Sequence, residues 1–243
     1  MFKRLLISIG LISFLYGVSN AEPSEDCDFY PVKKMKPLYY GQILFDRLEY
    51  DDSKRLNYEV TSWYGGDYQR FWIEVEGENN FEKEEGDLER LDVLYGKLFS
   101  PFWDIRAGVG YRSSYGDGTK DRKSFVVGLK GLAPYWFEVD TNMRFTTEGE
   151  LYGDVEAEYD LLFTQRLVFQ PRIDTTFSFS DIPEIGVYNG INNINLSFRL
   201  RYELKREFAP YIGFSYNSFF GDIKDRNGKD HDLTAFFGVR VWF

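Results

Sequence analysis

The stretch YGDVEAEYDLLF, residues 152–163, constrains this chain more than any other. Gly153, Val155, Ala157, Tyr159, Leu161 and Phe163 take every second position, and Asp154, Glu156, Glu158 and Asp160 fill the places between. Successive strand residues point to opposite faces of a sheet, so this period of two builds one apolar face and one face of carboxylates. FEVDTNMRF repeats the design, setting Phe137, Val139, Thr141, Met143 and Phe145 against Glu138, Asp140, Asn142 and Arg144. INLSFRLRYEL does so again, with Ile194, Leu196, Phe198, Leu200, Tyr202 and Leu204 opposite Asn195, Ser197, Arg199, Arg201 and Glu203. Beyond the N-terminal leader no helical period of useful length is present.

An antiparallel sheet in water can also be apolar on one face, so alternation alone does not decide the class. Composition adds a second constraint. Aromatic residues make up 19% of the chain, yet its mean hydropathy is −0.40. Such a chain needs an arrangement that separates the two kinds of side chain, and strand alternation supplies one. The N-terminus MFKRLLISIGLISFLYGVSNA has a basic start at Lys3 and Arg4, an apolar run and a small-residue ending at Ser19 and Ala21. It reads as a secretory signal peptide over 1–21, followed by a short periplasmic segment over 22–38. Cys27 is the single cysteine, which excludes an intramolecular disulfide framework. The formal charge of −10 argues against nucleic acid as a partner and suits cations.

From residue 39 to the end the chain reads as strands of about 9 to 14 residues between turn signals. They fall near 40–50, 56–64, 69–79, 87–98, 102–112, 123–132, 136–146, 151–163, 166–179, 191–204, 209–219 and 233–243. The connections alternate between short ones (GGD, SP, AP, TQ, EFAP) and longer polar ones such as ENNFEKEEG and GDIKDRNGKDHD. Aromatics crowd the short turns, as Tyr135, Trp136 and Phe137 do after Pro134, where rings would sit at a lipid–water boundary. The last strand alternates down to a terminal Phe243. The expected fold over 39–243 is therefore all-β, a transmembrane antiparallel up-and-down β-barrel of the outer membrane with about 12 strands and both ends periplasmic. Closure pairs every edge, which lets a sheet sit in lipid. In YGQILFDRLEYDD the adjacent Asp46 and Arg47 fit neither parity, which leaves ten strands as the alternative. Pro171, inside a strand, lacks a ladder donor, so a bulge or a weakened pairing is expected there.

With the apolar sets facing lipid, the lumen is lined by Glu74, Glu76, Asp104, Arg106, Glu138, Asp140, Asp154, Glu156, Glu158, Asp160, Arg172, Asp174, Arg199, Arg201 and Arg240. Mixed signs suit a ladder of opposite charges that fills and stiffens a small barrel. The competing reading is a narrow polar path for cations. His231 is the sole histidine, and Asp230, His231 and Asp232 in KDHD form either a loose divalent-cation site or a solvated loop tip. An outer-membrane hydrolase would need its Asp–His or Ser–His pair at that one place, so no enzymatic activity is expected.

Several long segments resemble the copper resistance protein B family of outer-membrane barrels: GLAPYWFEVD, EAEYDLLFTQRLVFQPR, RLRYELKREFAPYIG and GVRVWF, with LFDRLEY, GGDYQRFWIEVEGE and LYGKLFSPFWDIRAGVGYR upstream. The resemblance runs from Gly41 to Phe243. It implies copper as the ion handled, a role in copper resistance, and a periplasmic multicopper oxidase as partner. Many relatives carry a methionine- and histidine-rich segment between signal and barrel. Here that segment is EPSEDCDFYPVKKMKPLYY, which offers Cys27 and Met35 and no histidine. Thiolate and thioether suit Cu(I) and imidazole suits Cu(II), so those two residues are the soft donors available there. A general small-solute channel remains the alternative function.

Overall fold

The computed structural model describes residues 38–82, 85–115, 120–221, 223–224 and 230–243. The leader, the segment that follows it, Cys27 and Met35 lie outside the described residues. The strands are β1 (Tyr40–Asp51), β2 (Arg55–Gly65), β3 (Gln69–Asn80), β4 (Glu85–Ser100), β5 (Trp103–Tyr115), β6 (Lys120–Ala133) and β7 (Phe137–Thr146). They continue with β8 (Leu151–Glu158), β9 (Leu161–Leu162), β10 (Leu167–Ser178), β11 (Gly190–Tyr202), β12 (Phe208–Phe219) and β13 (His231–Trp242). Each pairs antiparallel with its neighbour in the chain except that β8 and β9 both pair with β10, and β1 pairs with β13 to close the sheet. β8 and β9 are two pieces of one stave. Glu158 pairs with Arg172, and after a gap Leu161 pairs with Phe169 in the same register. The barrel therefore has the twelve staves expected of the sequence.

The gap in that stave lies opposite Pro171. The Tyr159 N–H donates to the Pro171 carbonyl at 3.1 Å, and proline has no N–H with which to return the bond. The weakened pairing expected there takes this form, with no bulge. The parity conflict at Asp46 and Arg47 is resolved by a bulge: Phe45 faces Val60 and Arg47 faces Glu59, so Asp46 is the extra residue. Both charged side chains then reach the lumen. Asp46 accepts from Arg240 at 2.7 Å and from Arg199 at 3.3 Å, and Arg47 donates to Glu59 at 2.6 Å and to Glu76.

Alternation sorts the faces as read. In β3, Phe71 and Ile73 are 45% and 39% exposed on the outer wall, while Trp72 and Glu74 keep 5% and 3% inside. Val109, Phe125, Phe145, Ile212, Leu233 and Phe237 are exposed on the same outer wall. A band of this kind is unfavourable in water and favourable in hydrocarbon. The loop asymmetry is smaller than the sequence suggests. The start of β1, the end of β13 and the connections 66–68, 101–102, 134–136, 163–166 and 203–207 share one rim, called here the near rim. At the far rim, four of the six connections are also short, because β4, β5 and β6 run on through charged residues as hairpins beyond the apolar band. Only 179–189 and 220–230 are long there.

Candidate functional site

The lumen is the site, and large charged side chains fill it. An inner glycine makes room where they crowd: a Cβ on Gly128 would stand 2.2 Å from the Asn142 side-chain oxygen. Asn142 and Arg106 are fully buried beside it. Arg106 reaches Glu74 at 2.5 Å, Asp140 on β7, and the Asn142 oxygen at 3.0 Å. Lys130 reaches Asp140 at 3.1 Å. Arg144 holds Asp92 at 2.7 Å and also pairs with Asp154. Arg90 ties Glu76 at 3.2 Å to Asp154 at 3.4 Å, joining β4 to β8.

The widest span is made by Arg172 on β10. Its guanidinium donates to Glu156 on the neighbouring stave at 2.6 Å and to Glu59 on β2 at 3.1 Å. In the closed order β2 and β10 lie nearly opposite each other, so this bond crosses the lumen. Glu59 also holds Arg47, and Arg47 holds Glu76, which links the crossing to the Arg90 group. A second cluster, at the seam where β1 meets β13, joins Arg199 and Arg240 to Asp46, and Arg199 to Glu49 at 3.1 Å. Tyr211 donates its hydroxyl to Glu49 at 3.0 Å. Two residues further along β11, toward the near rim, Arg201 pairs with Asp160 at 2.8 Å. Buried ion pairs of this density trade desolvation for mutual attraction, and removing one partner leaves an uncompensated charge. Their effect on shape is direct: the waist is occupied.

The far rim adds a roof. Residues 179–189 fold inward over the mouth, placing the fully buried Ile182 together with Val187 against the Tyr152 ring of β8, with Ile185 beside them. The Ile182 and Val187 backbones bond each other at 2.7 and 3.2 Å, and Gly186 turns in the left-handed region. Asn192 clasps Tyr188 through both its side-chain groups, at 2.7 and 2.9 Å. Across the mouth Arg122 of β6 pairs with Glu184 at 3.0 Å and with Glu148 and Glu150 of the β7–β8 turn. Under the roof lies a cavity of about 220 Å³ bordered by Glu76, Glu89, Asp154, Glu156, Asp174 and four arginines. Toward the near rim a cavity of about 280 Å³ is bordered by Asp104, Glu138, Asp140, Glu156, Glu158, Arg70 and Lys130, among others.

All fifteen residues expected in the lumen stand on the inner parity, and most take part in these pairs. Glu138 and Asp160 are exposed at its near-rim mouth. Sequence reading missed Glu59 on β2, it missed Arg90 and Asp92, whose parity in LERLDVLYG points inward, and it missed the roof and its latch. The KDHD residues are not brought together. Asp230 pairs with Lys224 at 3.3 Å. His231 lies on the outer wall with its ring 5.7 Å from that of Tyr216, and Asp232 borders a far-rim cavity on the inner side. Adjacent strand residues face opposite ways, which is why the cluster dissolves. Among the described residues no group of three or more His, Cys, Asp and Glu is arranged to hold a metal ion. The donors inside the barrel are carboxylate oxygens, which suit hard or hydrated cations better than Cu(I).

Fold and lumen together define a twelve-stave β-barrel of the outer-membrane type whose interior is crossed by ion pairs. The solved KdgM porin shares the fold, with a TM-score of 0.50 at 11% identity over 83% of this chain and 99% of that one. The sequence profile described as Copper resistance protein B precursor (CopB) matches residues 39–243, and the chain belongs to that family. Copper resistance protein B of Escherichia coli is 37% identical over 209 residues, covering 83% of this chain and 69% of the relative. The Copper resistance protein B homolog of Pseudomonas syringae pv. tomato is 31% identical over 206 residues, covering 82% and 68%. The fold and the family both fit an outer-membrane location, and a leader peptide is compatible with a precursor.

Proposed function

We propose that this chain serves copper resistance as a non-enzymatic outer-membrane barrel that binds copper ions or passes them across the membrane. The observation that carries the reading is the family match over 39–243, which coincides with the whole barrel. The acid-rich lumen supports it, since carboxylates facing a low-dielectric wall concentrate cations. In this reading the near rim, where β1 begins and β13 ends, faces the periplasm, as in other barrels of this class. Cys27 and Met35 precede β1 and so meet copper on the periplasmic side, where a multicopper oxidase is the soluble partner.

Titration of the refolded full chain with Cu(I), Cu(II) and Zn(II) tests the proposal. Stoichiometric copper binding with little zinc binding is expected, and Cys27→Ser with Met35→Leu weakens the Cu(I) component about tenfold or more. A general small-solute channel is the second reading, favoured by the porin-like fold and opposed by the filled waist. Unselective conductance in planar bilayers, without copper binding, would establish it instead.

A further inference from the structure

The two cavities above and below the waist have one lining residue in common, Glu156. Glu156 is ion-paired to Arg172 at 2.6 Å, and the same guanidinium reaches Glu59 across the lumen at 3.1 Å. Arg172 is 4% exposed. It borders the cavity under the roof and holds the one side chain that both cavities share. We propose that Arg172 is the gate of a cation path through this lumen, and that its guanidinium holds the place a mobile cation takes when the path conducts. The inference rests on the reading of the barrel as a cation-handling protein, and it adds the route and the residue that closes it.

Charge bookkeeping supports cations over anions. The near-rim cavity sets five carboxylates against two cations, Arg70 and Lys130, and the cavity under the roof sets five against four arginines. Glu138 stands directly opposite Glu158 at the near-rim mouth. Like charges so placed repel unless a counter-ion lies between them. Glu59 keeps a second partner when Arg172 leaves, because Arg47 lies 2.6 Å away. Glu156 then loses its ion-pair partner beside both cavities, and a cation from solution takes the place of the lost guanidinium. Rings of acidic side chains select cations in this way.

Arg172→Gln in the full-length chain, reconstituted into planar bilayers under a KCl gradient, tests the gate without copper. Potassium conductance about tenfold or more above wild type is expected, with the reversal potential moved toward that of potassium. Arg201→Gln removes an equally buried arginine that borders neither cavity, and is expected to conduct far less than Arg172→Gln. A folded Arg172→Gln barrel, verified by heat-modifiable gel migration, that conducts no more than wild type overturns the proposal. So does an anion-selective current, or an Arg201→Gln barrel as open as Arg172→Gln. Should Arg172→Gln fail to fold, Glu59→Gln carries the test: it cuts the cross-lumen half of the tie, and an unchanged conductance overturns the gate. Copper binding by wild type is a separate measurement, and its absence would sink the copper reading while leaving the gate result intact.

Discussion

At the near rim the chain turns on Pro101 and Pro134 and surrounds those turns with outward rings, among them Tyr68, Phe99, Phe102, Tyr135 and Trp136. At the far rim the longest described connection does the opposite, sending Ile182 and Val187 inward onto Tyr152. One rim spends its apolar groups on the membrane boundary, the other on covering the lumen. The near-rim rings act one by one, and each gains from the interface by itself. The roof is cooperative, because Tyr152, Asn192 and Arg122 hold one short segment from three sides. The difference shows in the backbone. Tyr135 and Trp136 both carry positive φ, 69° and 68°, a conformation that costs L-residues about 1–2 kcal/mol each. Among the described residues of the roof, positive φ falls on glycine, at Gly186.

The sharpest way to break this contrast is to empty the roof's core. Ile182→Ala removes a fully buried side chain, a change that costs about 2–5 kcal/mol where surroundings relax little. The segment should release while the barrel stays closed, and chymotrypsin should cut after Tyr188, a bond that docking protects, tens of times faster. Mass mapping of the cleavage site measures this. An unchanged rate would mean that the roof is held by its latch rather than its core. At the near rim the matching experiment replaces Tyr135 and Trp136 by Asn and Gly, the pair favoured where φ is positive at two successive residues. Relief of strain should raise the urea midpoint in detergent, by about 2 kcal/mol in stability. In lipid vesicles the gain should shrink, because the two rings no longer contribute at the boundary. A lower midpoint in detergent would show that the rings hold the turn by packing.

The near rim was legible in the sequence and the far rim was not, for a physical reason. Prolines, aromatics and period-two alternation are local signals, and they located the near-rim turns, the faces and the twelve staves. Asp46 and Arg47 were legible as a conflict, and the bulge that resolves it places both in the lumen. The mixed signs of the inner face announced an ion-pair ladder. Which partner each charge takes depends on staves far apart in sequence, as with Arg172 and Glu59. No local pattern encodes that choice. SDIPEIGVYNG likewise reads as a loop, and its inward fold rests on Tyr152, which sits outside it in sequence. KDHD shows the converse: neighbours in a strand are not neighbours on a face.

The smallest effect separates the latch from the core. Arg122 is nearly buried, but Glu184 and Glu148 are about half exposed, so solvent screens the pairing and each link is worth about 0.2–1 kcal/mol. Arg122→Gln should therefore speed cleavage after Tyr188 only a few-fold, far less than Ile182→Ala does. Its signature is salt. Exposed pairs weaken as ionic strength rises, so the wild-type cleavage rate should climb between low and high NaCl, while the variant, with no pairing left to screen, stays flat. Apolar burial does not weaken in this way with salt, so Ile182→Ala should keep the wild-type slope from a higher baseline. If Arg122→Gln retains the salt slope, the charge that holds Glu184 lies elsewhere on the rim, and the roof is latched by a residue other than the one the geometry names.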